Sequence, residues 1–118
     1  MMSLALGSSL PAAAFASVPN TAPTIAPVLV VNTQSGLSDA FLEWTASNKT
    51  SSAGFGYKIY VQIDSNPETL ASTEGDNLSK TLSFPTAAGE TYAFRVVPFN
   101  GFGDGPSSNV YSVVLTAP

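Results

Sequence analysis

The strongest constraint on this chain is a period of two in its apolar residues. Tyr57, Ile59, Val61 and Ile63 alternate with Lys58, Tyr60 and Gln62, and Tyr92, Phe94 and Val96 alternate with Ala93, Arg95 and Val97. Ala40, Leu42 and Trp44 alternate with Phe41, Glu43 and Thr45, and Leu82 and Phe84 follow the same rule. Successive side chains on a strand leave opposite faces, so each run offers one face to a core and one to water. Apolar runs at 28–31 and 110–115 add two more strand candidates. Turn-rich pieces separate them: NTQSGLSD, ASNKTSSAGFG, DSNPE, STEGDN, PTAAGE and NGFGDGPSS. No stretch sustains the apolar period of an amphipathic helix. Short strands at this spacing predict an all-β fold, an antiparallel sandwich of two sheets.

The 118 residues make one domain on the usual length prior. Residues 1–23 stand apart from the β pattern. They are rich in Ala, Ser and Pro, and Pro11, Pro19 and Pro23 favour extended backbone over helix. They read as an extended N-terminal arm ahead of a domain at 24–118. Ala14-Phe15-Ala16 resembles the cleavage site of a secretory signal, but no basic residue precedes it and Pro11 interrupts the apolar stretch. The arm reading is therefore preferred.

Composition removes several function classes. There is no cysteine and no histidine, so disulfides, thiolate metal sites, cysteine nucleophiles and the commonest general base are all absent. Four Lys/Arg stand against eight Asp/Glu, a formal charge of −4, and Lys49, Lys58, Lys80 and Arg95 do not cluster in sequence. A nucleic-acid binder needs clustered cations to neutralise phosphates, so no nucleic-acid partner is expected. No apolar run approaches the ~18 residues that span a bilayer, and no membrane partner is expected.

Residues read in order also resemble the fibronectin type III family. The first half has Pro23 and Pro27 at the entry, a lone Trp44 ending an alternating strand, and Tyr57-x-Ile59. The second half is more specific: Leu82, Pro85, Gly89, Tyr92-x-Phe94-Arg95-Val96, Asn100, Gly103, Gly105-Pro106, Ser108 and Thr116-x-Pro118. The resemblance covers about residues 23–118 and implies a seven-stranded sandwich. It places Trp44, Tyr57, Ile59, Tyr92, Phe94 and Val96 in the structural core, with Tyr92 at a tyrosine corner whose hydroxyl bonds upstream backbone. Two features depart from the family pattern. Pro98 falls in the sixth strand, where a missing ladder donor points to an edge or a bulge. The connection DSNPETLASTEGDNLS is longer and more polar than a minimal loop.

In NGFGDGPSS the glycines at 101, 103 and 105 precede a strand-like run, no Lys follows them, and Asp104 would repel an anion. A phosphate loop instead opens a helix, so these glycines are expected to supply positive φ in a turn. No histidine is present to activate a serine and no G-x-S-x-G elbow occurs, so no catalytic residue is assigned. The acidic turns Asp64–Glu68 and Glu74–Asn77 lack the calcium-loop pattern, so no metal site and no cofactor are expected. Asn48-Lys49-Thr50 and Asn77-Leu78-Ser79 match the glycosylation sequon, a frequent chance match.

The alternation points Phe41, Tyr60 and Phe99 away from the core, and Phe55 and Phe102 lie in loops. Several outward rings can form an interface patch. Alternatively the arm, through Leu4, Leu6, Leu10 and Phe15, folds back over them. The resemblance implies a non-catalytic spacer, adhesive or assembly module, since a fold alone does not give function. The setting expected first is a virion, as a phage capsid decoration or tail protein fastened to neighbouring subunits through its arm. The Met-Met start and the arm ahead of a single domain suit that setting. The alternatives are an accessory module of a secreted bacterial carbohydrate-active enzyme, or an extracellular adhesion module, for which the Arg-Gly-Asp tripeptide is missing.

Overall fold

Each apolar alternation in the sequence falls on a strand with one face against the opposite sheet, with Phe84 just past the end of its strand. The computed structural model describes residues 21–34, 38–51, 54–85 and 88–116. Eight strands follow in order: β1 (Leu29–Thr33), β2 (Asp39–Trp44), β3 (Gly56–Ile63), β4 (Thr69–Glu74), β5 (Ser79–Ser83), β6 (Ala88–Asn100), β7 (Gly103–Asp104) and β8 (Tyr111–Thr116). There is no helix among the described residues. One sheet runs β1-β2-β5; the other runs β4-β3-β6-β7, with β8 also on β6, and every pairing is antiparallel. The fold is the two-sheet, fibronectin type III-like sandwich, with seven principal strands and the two-residue β7 as an eighth.

The core is what the period of two selects. Leu29 and Val31 from β1, Ala40, Leu42 and Trp44 from β2, Tyr57, Ile59 and Val61 from β3, Tyr92, Phe94 and Val96 from β6, and Leu115 from β8 form one buried cluster. Trp44 is 4% exposed and its ring meets Tyr57 at 5.6 Å between centroids. The Tyr57 hydroxyl, buried with its ring, accepts a hydrogen bond from the Ser47 N–H at 2.9 Å. Such a bond offsets the cost of burying a phenol.

Three details differ from the sequence expectations. The polar connection after Ile63 contains a strand, β4, paired to β3 along Tyr57↔Glu74 to Val61↔Thr69. It is an edge strand with a burial pattern of mostly exposed side chains, so backbone pairing and not apolar alternation forms it. Pro98 sits in a strand with neighbours on both sides, not at a sheet edge. Val96 bonds Ser108 on the β8 side, through Ser108 N to Val96 O and Val96 N to Ser108 Oγ, both 2.8 Å. Two residues on, Pro98 aims its missing donor to that same side, beyond the last β6–β8 pair, Phe94↔Tyr111. There only its carbonyl is used, by Gly105 N at 2.7 Å. The proline therefore costs no ladder bond. Finally, the partner of the Tyr92 hydroxyl is the Glu90 carboxylate at 3.1 Å, two residues back on the same face of β6. Residues 86 and 87 of the preceding connection lie outside the described residues.

Candidate functional site

The outer face of the larger sheet carries two of the five ring residues singled out above, Tyr60 and Phe99. Register sets Tyr60 beside Arg95 and Gly56 beside Phe99, with Lys58 between them on β3. The Arg95 guanidinium stacks 4.4 Å from the centre of Tyr60 and donates two hydrogen bonds to Glu68, at 2.8 and 2.7 Å. The Lys58 ammonium lies 5.1 Å from the centre of Phe99 and 2.9 Å from Asp104 Oδ1. Phe99 also folds over Gly56, where an added Cβ would sit 3.0 Å from the ring and 2.3 Å from the Glu74 carbonyl oxygen. Tyr60 and Phe99 are thus half-buried under the chain's own cations. They are occupied rings, not an open aromatic patch.

These pairs set the local electrostatics. The hydrogen bond from Arg95 holds the Glu68 carboxyl below its usual value of 4.5 and raises the guanidinium in turn. The hydrogen bond to Asp104 raises the Lys58 ammonium. A carboxyl lowered in the folded state stabilises above its unfolded pKa, and that contribution disappears as pH falls through the folded value. Glu68→Gln is therefore expected to lower stability at pH 7 by no more than about 1 kcal/mol, since the pair is partly solvated. The difference from the parent should vanish in strong acid. Urea titrations at both pH values check this, and a pH-independent difference would show that the charge is not what matters.

The remaining two cations are paired as well: Lys49 with Asp76, and Lys80 with Glu74 at 3.6 Å. All four basic side chains of the protein are thus spoken for. Phe55, read as a loop aromatic, packs edge-on against Tyr57 at 5.3 Å and joins the core. Phe41 stands alone on the other sheet, 39% exposed. Phe102, at the tip of the β6–β7 hairpin, is 53% exposed. Phe41, Tyr60, Phe99 and Phe102 therefore do not form one patch.

The hairpin end of the sandwich holds the segment that leads into the domain. The Thr21 carbonyl accepts hydrogen bonds from Asn100 Nδ2 at 2.8 Å and Thr50 Oγ1 at 2.6 Å. Asn100 continues the core-facing phase of β6 and is buried, and its Oδ1 accepts from Phe102 N at 2.8 Å. Asn48 Oδ1 accepts from the N–H groups of Thr24 and Ile25, at 2.9 and 3.1 Å. Thr21–Pro23, which the sequence places in the arm, are thus held by the domain. The glycines of the loop divide their work differently from the expectation. Gly103 has φ +136°, whereas Gly105 is not among the positive-φ residues. Gly105 is needed for close approach: a Cβ there would lie 2.6 Å from the Pro23 carbonyl oxygen. The loop turns the chain and seats the entering segment.

Leu4, Leu6, Leu10 and Phe15 lie outside the described residues. Sequence reasoning missed Thr50, Asn48 and Glu68 as partners, because each acts on a residue more than twenty positions away. The one available signal was Asn100, an amide in the phase of β6 that otherwise carries core side chains. Among the described residues no group of three or more Asp or Glu could hold a metal ion, and no helix is long and apolar enough to cross a membrane.

No family model matches the chain, and no curated protein matches it. Solved structures do. The FN1–FN3 domains of chicken CNTN1 align with a TM-score of 0.65 at 21% identity, covering 81% of this chain and 33% of that one. This chain thus spans about a third of the CNTN1 structure. The fibronectin type III domain of human fibronectin type III domain containing protein 3 aligns with a TM-score of 0.63 at 21% identity, covering 86% and 94%. A pectate lyase, PelI from Erwinia chrysanthemi, aligns at 0.59 and 16% identity, covering 75% and 28%. Likeness at this level of identity concerns the fold: the chain carries a fibronectin type III-type sandwich.

Proposed function

We propose that this protein is a non-catalytic assembly module, a virion component such as a phage capsid decoration or tail protein. It attaches to a neighbouring protein subunit through the residues that precede Asn20. The observation that carries this reading is the anchoring of Thr21. Two side chains, Asn100 and Thr50, grip its carbonyl at the hairpin end of the sandwich, beside exposed Phe102. Whatever precedes Thr21 leaves the domain from a fixed point. Residues 1–20 carry no charged side chain, and Leu4, Leu6, Leu10 and Phe15 are the apolar groups they have to bury. That composition suits a dry interface or an added edge strand on a neighbour.

The test is co-sedimentation with particles purified from the source culture. The full chain is expected to sediment with the particles, while a chain beginning at Asn20 stays in the supernatant. The truncated chain should melt within about 2 °C of the parent, because the core and the Thr21 anchor are intact. Equal co-sedimentation of both chains would remove the arm as the anchor. A second reading, an accessory module of a secreted carbohydrate-active enzyme, draws on the likeness to the pectate lyase structure. It requires this chain to retain a polysaccharide on an affinity gel.

A further inference from the structure

The outer face of the smaller sheet differs from that of the larger one. On β2, Asp39, Phe41 and Glu43 alternate with buried Ala40, Leu42 and Trp44, so all three leave the same outward face. They are spaced about 6.8 Å apart along the strand. Register sets Phe41 between Asn32 of β1 and Thr81 of β5, Glu43 between Val30 and Ser79, and Asp39 beside Ser83. Phe41 and Asp39 line an open recess of about 470 Å³ together with Asn32, Thr33, Gln34 and Thr81.

No cation among the described residues answers this face. Among the described residues the ion pairs use Glu68, Glu74, Asp76 and Asp104, and none uses Asp39 or Glu43. Lys80 is on adjacent β5, but it shares the phase of core-packed Leu82 and turns to Glu74. Phe41 likewise has no guanidinium or ammonium over its ring among the described residues, whereas Tyr60, Phe99 and Phe55 each have one. On the larger sheet the same chemistry, ring plus flanking carboxylate, is completed from within by Arg95 and Lys58. On the smaller sheet the ring and carboxylates are present and the cation is missing.

We propose that the recess over Phe41 is a docking site for an arginine or lysine side chain of a partner protein, with Asp39 and Glu43 flanking the cation. A cation over an aromatic face gains from the ring quadrupole, and a carboxylate at its edge accepts its N–H groups. The occupant is a different protein and not a second copy, because all four Lys and Arg side chains of this chain are already paired with a carboxylate. A divalent ion does not fit the pair: Asp39 and Glu43 are four residues apart on a strand, about 14 Å between Cα atoms. The proposal rests on and deepens the reading of this chain as a protein-binding module, but it uses residues of the smaller sheet and not those that precede Asn20.

The experiment is an amide chemical-shift titration of the full chain with the peptide acetyl-Gly-Arg-Gly-Arg-Gly-amide. Shifts are expected on β1, β2 and β5, centred on Asn32, Phe41 and Thr81, and should weaken as salt is raised. The same peptide with citrulline for arginine, Phe41→Ala, and the isosteric double variant Asp39→Asn, Glu43→Gln should each bind at least about fivefold more weakly. These residues are surface-facing, and an unchanged spectrum elsewhere shows that the variants fold. No shift, equal binding of the citrulline peptide, or full binding by the double variant overturns the proposal. So does a salt-insensitive shift of the same signals by a neutral oligosaccharide, which would make the recess a glycan site. The sedimentation test reads residues 1–19 alone, so either result stands without the other.

Discussion

Replacing Trp44 with alanine is expected to lower stability by about 3–5 kcal/mol, the range for emptying a core site of this size. Trp44 is the largest side chain in the cluster between the sheets and is the protein's one tryptophan. It ends β2, pairs with Leu29 of β1 and packs on Tyr57 of the opposite sheet, so its removal opens a void between both layers. Urea unfolding should show a lower midpoint with an unchanged slope, since the native surface is otherwise the same. Trp44→Phe should cost less for a second reason: the buried indole Nε1 has no hydrogen-bond partner among the described residues. Phenylalanine leaves a smaller void and removes that unpaired donor. A loss below about 1 kcal/mol for the alanine variant would mean that the ring does not hold the sheets together.

Ser108→Ala is expected to cost about 1–3 kcal/mol, although it removes one oxygen atom. The Val96 N–H is fully buried where regular pairing of β6 with β8 has ended, and the Ser108 hydroxyl is its acceptor at 2.8 Å. The same hydroxyl donates to the Asn109 carbonyl at 2.9 Å. Alanine leaves a buried donor with nothing to accept it, which costs more than the net value of an ordinary hydrogen bond. Hydrogen exchange gives the sharper readout. In the variant the Val96 amide should lose protection by more than the global change in stability, and Ser108→Thr, which keeps a hydroxyl, should restore it in part. If Val96 exchanges only in proportion to global unfolding, the hydroxyl is not its essential partner.

Much of the fold was legible because a sandwich writes its core into the chain at every second residue. Tyr57, Ile59 and Val61, and Tyr92, Phe94 and Val96, are buried on the phase that alternation gave them. β4 was not legible, because its side chains are mostly exposed and carry no alternation; it exists through backbone bonds to β3. Pro98 read as a sign of an edge, yet it lies in an interior strand, because only the three-dimensional path of residues 104–108 leaves its nitrogen without a required partner.

The outward rings divide in the same way. Sequence phase put Phe41, Tyr60 and Phe99 outside, but could not say which would be covered. That depended on register across 35 to 41 positions of chain, which set Arg95 over Tyr60 and Lys58 over Phe99 and left Phe41 open. The sequence by itself determined the all-β class, the inward and outward faces of four strands, and the lack of histidine and cysteine chemistry. These are local properties: alternation and composition act on neighbouring residues. The tertiary structure alone decided the grip of Asn100 on Thr21, 79 residues away, the seating of Gly105 on Pro23, and the unanswered charge around Phe41. Those depend on which strands lie side by side, and only packing the two sheets into one core fixes that.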